Sequence, residues 1–310
     1  MPEITTRTIA ANGLDFAIDE CGEGPDIALC LHGFPESRFS WRHQLPALAA
    51  AGWHAVAPDL RGYGGSSRPR EQAAYHIDHL VADAGAIFDA LGARRRLLVA
   101  HDWGALIAWV FAIRQTRRLD GLVVMNVPHP QVFNDVLRTS WVQKRKSWYV
   151  AFFQLPRLPE MLLGANHARG IGKAFTDSAV NKANFPDSII DHYRHNARQP
   201  GALTAMINYY RANFPGVLHE ASPVVAVPTL MVWGEQDVAL DIALTRGYGP
   251  LVENFTLVTL PNASHWVQQD APEQVNTAVA GWLEKHDLSL NRAGNYDQTL
   301  QPTLPKEVPQ

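Results

Sequence analysis

The feature that most constrains this chain is an apolar strand that breaks, with no linker, into an apolar helix. Leu97-Leu98-Val99-Ala100 runs into His101-Asp102-Trp103-Gly104-Ala105, and Leu106, Ile107, Val110 and Phe111 follow at helical spacing. A turn this sharp needs small residues two positions either side of its centre, and Ala100 and Gly104 supply them. The central residue, Asp102, is then held out at the carboxyl edge of a sheet, beside a helix N-terminus that favours negative charge. The G-x-S-x-G form of this elbow is absent from the chain, which excludes a serine nucleophile of that type. A carboxylate in its place can displace a leaving group from an sp³ carbon and form an alkyl ester. Aspartate is also a good helix cap, so the rest of the sequence must decide between capping and chemistry.

Around the elbow the pattern alternates. Short apolar runs at 27–31, 54–57, 97–100, 122–125, 230–233 and 255–260 read as strands buried on both faces. A hairpin over 8–20, turned at Asn12-Gly13, adds antiparallel strands. Between strands, Ile77, Leu80, Val81, Ala84, Ile87, Phe88 and Leu91 mark one face of a helix. This predicts an α/β fold, a mostly parallel eight-stranded sheet flanked by helices. Between about 130 and 221 the alternation stops and aromatic, helix-prone segments take over, before strand character resumes at 224–227 and 230–233. The expected organisation is a core over 1–129 and 222–290, a helical cap over 130–221, and a tail over 291–310 that is poorly ordered or draped over the surface.

Composition narrows the classes of partner. A 46% hydrophobic fraction with 18% charged residues suits a packed globular core. A net charge of -3 gives no general reason to bind nucleic acid or anionic membrane. The basic runs Arg94-Arg95-Arg96 and Lys144-Arg145-Lys146 read as solvated faces. Cys21 and Cys30 lack a CxxC spacing, the first residues lack a signal-peptide pattern, and no apolar run approaches the ~20 residues of a membrane span. A cytoplasmic location is expected. The pairs His76/His79 and His192/His195 share helical faces but lack further ligands in a recognisable pattern, so no metal is expected.

The motifs His32-Gly33-Phe34-Pro35, Asp59-Leu60-Arg61-Gly62-Tyr63-Gly64-Gly65-Ser66 and His101-Asp102-Trp103-Gly104 resemble the epoxide hydrolase branch of the α/β-hydrolase superfamily over about residues 5–285. One departure is Ala100, where that family has glycine. The resemblance implies Asp102 as nucleophile and His265, in Asn262-Ala263-Ser264-His265-Trp266, as the base that activates water. Asp237, after the strand Leu230-Met231-Val232-Trp233-Gly234, fits the acid that orients the base, with Glu235 its neighbour and rival. The backbone N–H groups of Phe34 and Trp103 are implied as the oxyanion hole, with a cis Phe34–Pro35 bond. Two cap segments, Ser147-Trp148-Tyr149-Val150 and Asn208-Tyr209-Tyr210-Arg211, are similar to those carrying ring-opening tyrosines; Tyr149 and Tyr210 are the choices, with Tyr209 open. Neighbours on a helix point about 100° apart, so only one of Tyr209 and Tyr210 can face the nucleophile.

The implied reaction takes a hydrophobic epoxide and water to a vicinal diol, without metal or organic cofactor, in a monomer or homodimer. Trp141, Phe152, Phe153, Leu158 and Phe214 give the cap its apolar character. Haloalkane dehalogenases share the aspartate elbow, but the asparagine they often carry after His-Gly is Phe34 here. Fluoroacetate dehalogenases continue as D-R-x-x-R, against Asp102-Trp103-Gly104-Ala105-Leu106. A ligand-binding protein on the same scaffold would be expected to have lost part of the catalytic set, and none is lost.

Overall fold

The short apolar runs have no polar face to offer water, so they stack side by side between helices. The computed structural model describes residues 3–213 and 223–290. Its strands are β1 (Thr5–Ala11), β2 (Leu14–Cys21), β3 (Asp26–Leu31), β4 (His54–Pro58), β5 (Arg95–His101), β6 (Gly121–Met125), β7 (Thr229–Gly234) and β8 (Phe255–Leu260). They form one eight-stranded sheet in the order β1-β2-β4-β3-β5-β6-β7-β8. The β1–β2 and β2–β4 pairings are antiparallel and all the others parallel. Asn12 and Gly13 turn the β1–β2 hairpin at φ of 48° and 72°, as a tight primed turn requires.

The sheet splits the apolar interior in two. One part joins α2 (Ile77–Ala90) and α3 (Trp103–Ile113), on one face, to the helices between β6 and β7; the other lies against α1 (Gln44–Ala50) and a last helix (Pro272–Lys285) on the opposite face. Helix α3 is apolar nearly all round because the sheet covers one side and neighbouring helices the other. Each fully buried Leu, Ile or Val on these faces contributes about 1.5–3 kcal/mol.

Two sequence expectations fail, each for a local reason. Residues 224–227 form no strand; only Val225 makes an isolated bridge, to Val252. Pro223 and Pro228 bracket that run and, lacking an N–H, leave no donor at either end to extend the bridge into a ladder. Strand β8 exists but is not buried on both faces, and Leu257 is 38% exposed, because β8 is the sheet's outer edge.

Between β6 and β7 stand α4 (Pro130–Thr139), α5 (Trp141–Lys146), α6 (Trp148–Phe152), α7 (Leu158–Thr176), α8 (Asp187–Ala197) and α9 (Ala202–Asn213). Helix α7 is broken at 165–168, where Asn166, His167 and Ala168 take left-handed backbone angles. Helix α9 is bolted to the core: the Asn213 amide donates to Tyr75 O, its carbonyl accepts from Ile77 N–H, and Tyr209 donates to Arg61 O. The expected tail over 291–310, Phe214 and the 221/222 boundary lie outside the described residues. Among the described residues no helix is long and apolar enough to cross a membrane.

Register decides what meets at the sheet's carboxyl edge. Leu31 pairs with Ala100, so the turns after β3 and β5 emerge together. Met125 pairs with Val232 and Gly234 with Leu260, which lines up the turns after β6, β7 and β8. The motif over 59–66 serves this scaffold: Asp59 accepts from the backbone of Arg38 and Gly65 and pairs with the Arg38 guanidinium.

Candidate active site

Asp102 sits at φ 49°, ψ −124°, a conformation costing an L-residue about 1–3 kcal/mol that the surrounding packing must hold. The packing is close enough to demand glycine. A Cβ on Gly104 would lie 2.1 Å from Leu31 O, and one on Gly33 would lie 2.2 Å from Asp102 Oδ1. Although it occupies the cap position of α3, the Asp102 side chain makes no hydrogen bond to that helix. Its Oδ1 accepts from Phe34 N–H at 2.6 Å, and its Oδ2 lies 3.5 Å from His265 Nε2. The Phe34–Pro35 peptide is cis. Trp103, the first residue of α3, places its backbone N–H among the donors a helix leaves without an internal partner.

His265, in the turn after β8, puts Nδ1 2.7 Å from Asp237 Oδ2. Asp237 is itself fixed, with Oδ1 accepting from Ala239 and Leu240 N–H and Oδ2 from the Asn126 amide at 2.8 Å. Glu235, the rival, is exposed. Burial works against charge on His265, but Asp237 and Asp102 outweigh it and raise the imidazole to about 10. Burial would likewise push the Asp102 carboxyl up, yet His265, His101 and the Phe34 N–H hold it below the ordinary carboxylate range. The resting site is therefore a carboxylate–imidazolium–carboxylate array, with the Asp102 carboxylate charged and ready.

Above Asp102 lies a cavity of about 140 Å³ lined mainly by apolar side chains, among them Leu106, Val127, Phe133, Val150 and Leu240. Asp102, Tyr149 and Tyr210 line this same cavity, and the two phenol rings are 5.9 Å apart between centroids. Burial, followed by the nearby Asp102 charge, raises both phenols above their ordinary value, so each is a neutral donor at physiological pH. Tyr209 faces away, its hydroxyl donating to Arg61 O at 2.8 Å. Of the expected apolar cap residues, Trp141 is 80% exposed, Leu158 is exposed at the start of α7, and Phe153 packs on Phe34 and Tyr210; none of these lines the cavity.

Several residues around the site escape a reading by motif. Glu36, fully buried, accepts from Gln268 and Gln269 amides and lies 2.7 Å from His101 Nδ1. His101 Nε2 lies 2.8 Å from His265 O. Glu36 directly follows His-Gly-Phe-Pro, so position could have flagged it; Asn126 carried no such signal. Lys146, expected on a solvated face, instead turns inward to donate to Asp237 O at 2.6 Å. The histidine pairs serve local structure: His76 caps α2 and His192 bonds Ser37.

Residues 29–272 match the family model described as the alpha/beta hydrolase fold. The chain is 39% identical over 271 residues to epoxide hydrolase 3 of Xenopus tropicalis, covering 86% of this chain and 73% of the relative. It is 37% identical over 283 residues to epoxide hydrolase 4 of Mus musculus, covering 89% and 78%. Among solved structures it is similar to an epoxide hydrolase of Bacillus megaterium in complex with an inhibitor, with a TM-score of 0.83, 31% identity, and coverage of 90% of this chain and 100% of that one.

Proposed function

The chain belongs to the epoxide hydrolases of the α/β-hydrolase fold, and from that premise we propose that it opens a hydrophobic epoxide through an ester on Asp102. The observation that carries this reading is the shared cavity, in which one carboxylate and two phenols face the same small space. Asp102 Oδ2 attacks an epoxide carbon, the carbon–oxygen bond breaks, and Tyr149 and Tyr210 hydrogen-bond to the departing oxygen. An alkoxide is far more basic than a phenolate, so one phenol gives up its proton to it even with its own value raised.

Ester formation removes the Asp102 charge and with it part of what keeps His265 protonated. The imidazolium then returns its proton, through solvent, to the phenolate, and His265 becomes neutral. A water attacks the ester carbonyl while His265 takes its proton, and the oxyanion on former Oδ1 keeps its bond from Phe34 N–H, joined by Trp103 N–H. Collapse expels the diol, His265 protonates the leaving oxygen, and the new carboxylic acid re-protonates His265. Atoms and charges close on epoxide plus water giving diol, and no metal or organic cofactor is called for.

On the same reading the described residues 130–213 form a helical cap on a core of 3–129 and 223–290, and the enzyme works in the cytoplasm as a monomer or homodimer. The test uses His265→Gln mixed with styrene oxide, beside wild type offered styrene oxide and a bromoalkane. A covalent adduct on Asp102 in the variant and diol from wild type are expected. Halide release without diol formation overturns the reading.

A further inference from the structure

Helix α5 sends two polar side chains away from solvent and into one loop. Gln143 is fully buried; its Nε2 donates to Ala239 O at 3.1 Å and its Oε1 accepts from Asp241 N–H at 2.8 Å. Lys146, three residues on and so on the same helix face, donates to Asp237 O at 2.6 Å and Leu240 O at 3.3 Å. The loop over 237–241 begins with the residue that holds His265, and its Leu240 lines the cavity. Gln143 Nε2 also donates to Ser147 Oγ at 2.9 Å, at the joint between α5 and α6, two residues before Tyr149.

Among the described residues, Tyr149 packs its ring on Phe153 and Tyr210, and these bonds add polar anchors for this end of the cap. Helices α5 and α6 have six and five residues, too short to persist alone. No residue of α6 is fully buried, and Trp141 and Trp148 are 80% and 64% exposed. The far end of α6 is tied to α9, where Arg211 donates to Phe153 O at 2.9 Å. Its near end, which carries Tyr149, is joined to the core through Gln143 and Lys146. Lys146 contributes charge-assisted hydrogen bonds, the stronger kind.

We propose that Gln143 and Lys146 are positioning residues, a clamp that locks the Tyr149 helix onto the loop bearing Asp237 and so sets the Tyr149 phenol against Asp102. The clamp couples the ring-opening donor to the loop that serves the later hydrolysis. The proposal rests on the reading of Tyr149 as a ring-opening donor, and the test separates the two.

With enzyme in excess over styrene oxide, the rate of epoxide disappearance reports ester formation. It is measured for wild type, Lys146→Met, Tyr149→Phe and the double variant. Misplacing a reacting group by about 1 Å costs roughly 100-fold, so a loosened clamp is expected to slow ester formation about tenfold. In the Tyr149→Phe background the same change is expected to cost less than about twofold, because the group being positioned has lost its proton. Lys146→Arg, which keeps the donors, is expected to recover most of the rate. Equal slowing in both backgrounds, or no slowing beside an intact Tyr149, overturns the clamp. If Tyr149→Phe itself leaves the rate unchanged, the ring-opening assignment fails and takes the clamp with it. Should Lys146→Met not fold, Lys146→Gln, with a shorter neutral donor, carries the same cycle.

Discussion

Replacing Asp102 by asparagine should move the titration of His265 by several pH units. In the free enzyme burial disfavours the imidazolium, but Asp237 at 2.7 Å and Asp102 at 3.5 Å raise it to about 10. Two unit charges 3.5 Å apart interact by about 5 kcal/mol at an effective dielectric of about 20. At about 1.4 kcal/mol per unit that is roughly 3 to 4 pH units, enough to return the imidazole to the neighbourhood of neutrality. Asparagine keeps the shape and removes the charge, as the ester does, so the variant stands in for the alkylated enzyme. The assay is imidazole NMR on protein enriched with ¹⁵N-histidine from pH 5 to 11, with intact mass checking for deamidation. A His265 midpoint near 10 in wild type and near 7 in the variant is expected. Equal midpoints would mean that losing the Asp102 charge does not release the proton, and a wild-type midpoint near 6.5 that His265 is a base before any ester exists; either refutes the proton bookkeeping.

Three further predictions follow from single contacts. Tyr210→Phe should slow ester formation about 100-fold, whereas Tyr209→Phe should leave it within about twofold and cost about 1–2 kcal/mol of stability by orphaning Arg61 O, read by single-turnover kinetics and urea unfolding. Gly104→Ala should cost at least about 2–3 kcal/mol, seen as a lowered Tm, because its Cβ would meet the Leu31 carbonyl at 2.1 Å. The folded-state pKa of His265 lies above its unfolded value, so its stabilisation is complete below about pH 6.5 and is lost as pH rises through about 10. The stability gap between wild type and His265→Gln should therefore narrow across that window in urea titrations.

Sequence carried the fold well where one force dominated. Runs such as 97–100 and 230–233 are apolar on both faces because they are buried on both, and the hairpin turn at Asn12-Gly13 is fixed by backbone geometry. It carried less at 224–227, where hydrophobicity promised a strand that flanking prolines deny, and at β8, whose edge position depends on the other strands' order. In the site, the elbow and the histidine turn were legible because each is a local motif. The choice between Tyr209 and Tyr210 was not, because it depends on which face of α9 the Arg61 carbonyl and Tyr75 engage. Lys146 and Gln143 escaped for the same reason: their partners lie about 90 residues on in the chain, and a basic run looks solvated until its partners are placed.

The account stands on the diol taking its new oxygen from Asp102 and the water's oxygen entering Asp102. One turnover in H₂¹⁸O with enzyme in excess over styrene oxide tests this directly, by mass spectrometry of the diol and of the peptide bearing Asp102. Unlabelled diol and ¹⁸O in the Asp102 carboxylate are the predicted result. Diol carrying one ¹⁸O with an unlabelled Asp102 would mean that water attacks the epoxide itself, and would contradict the ester.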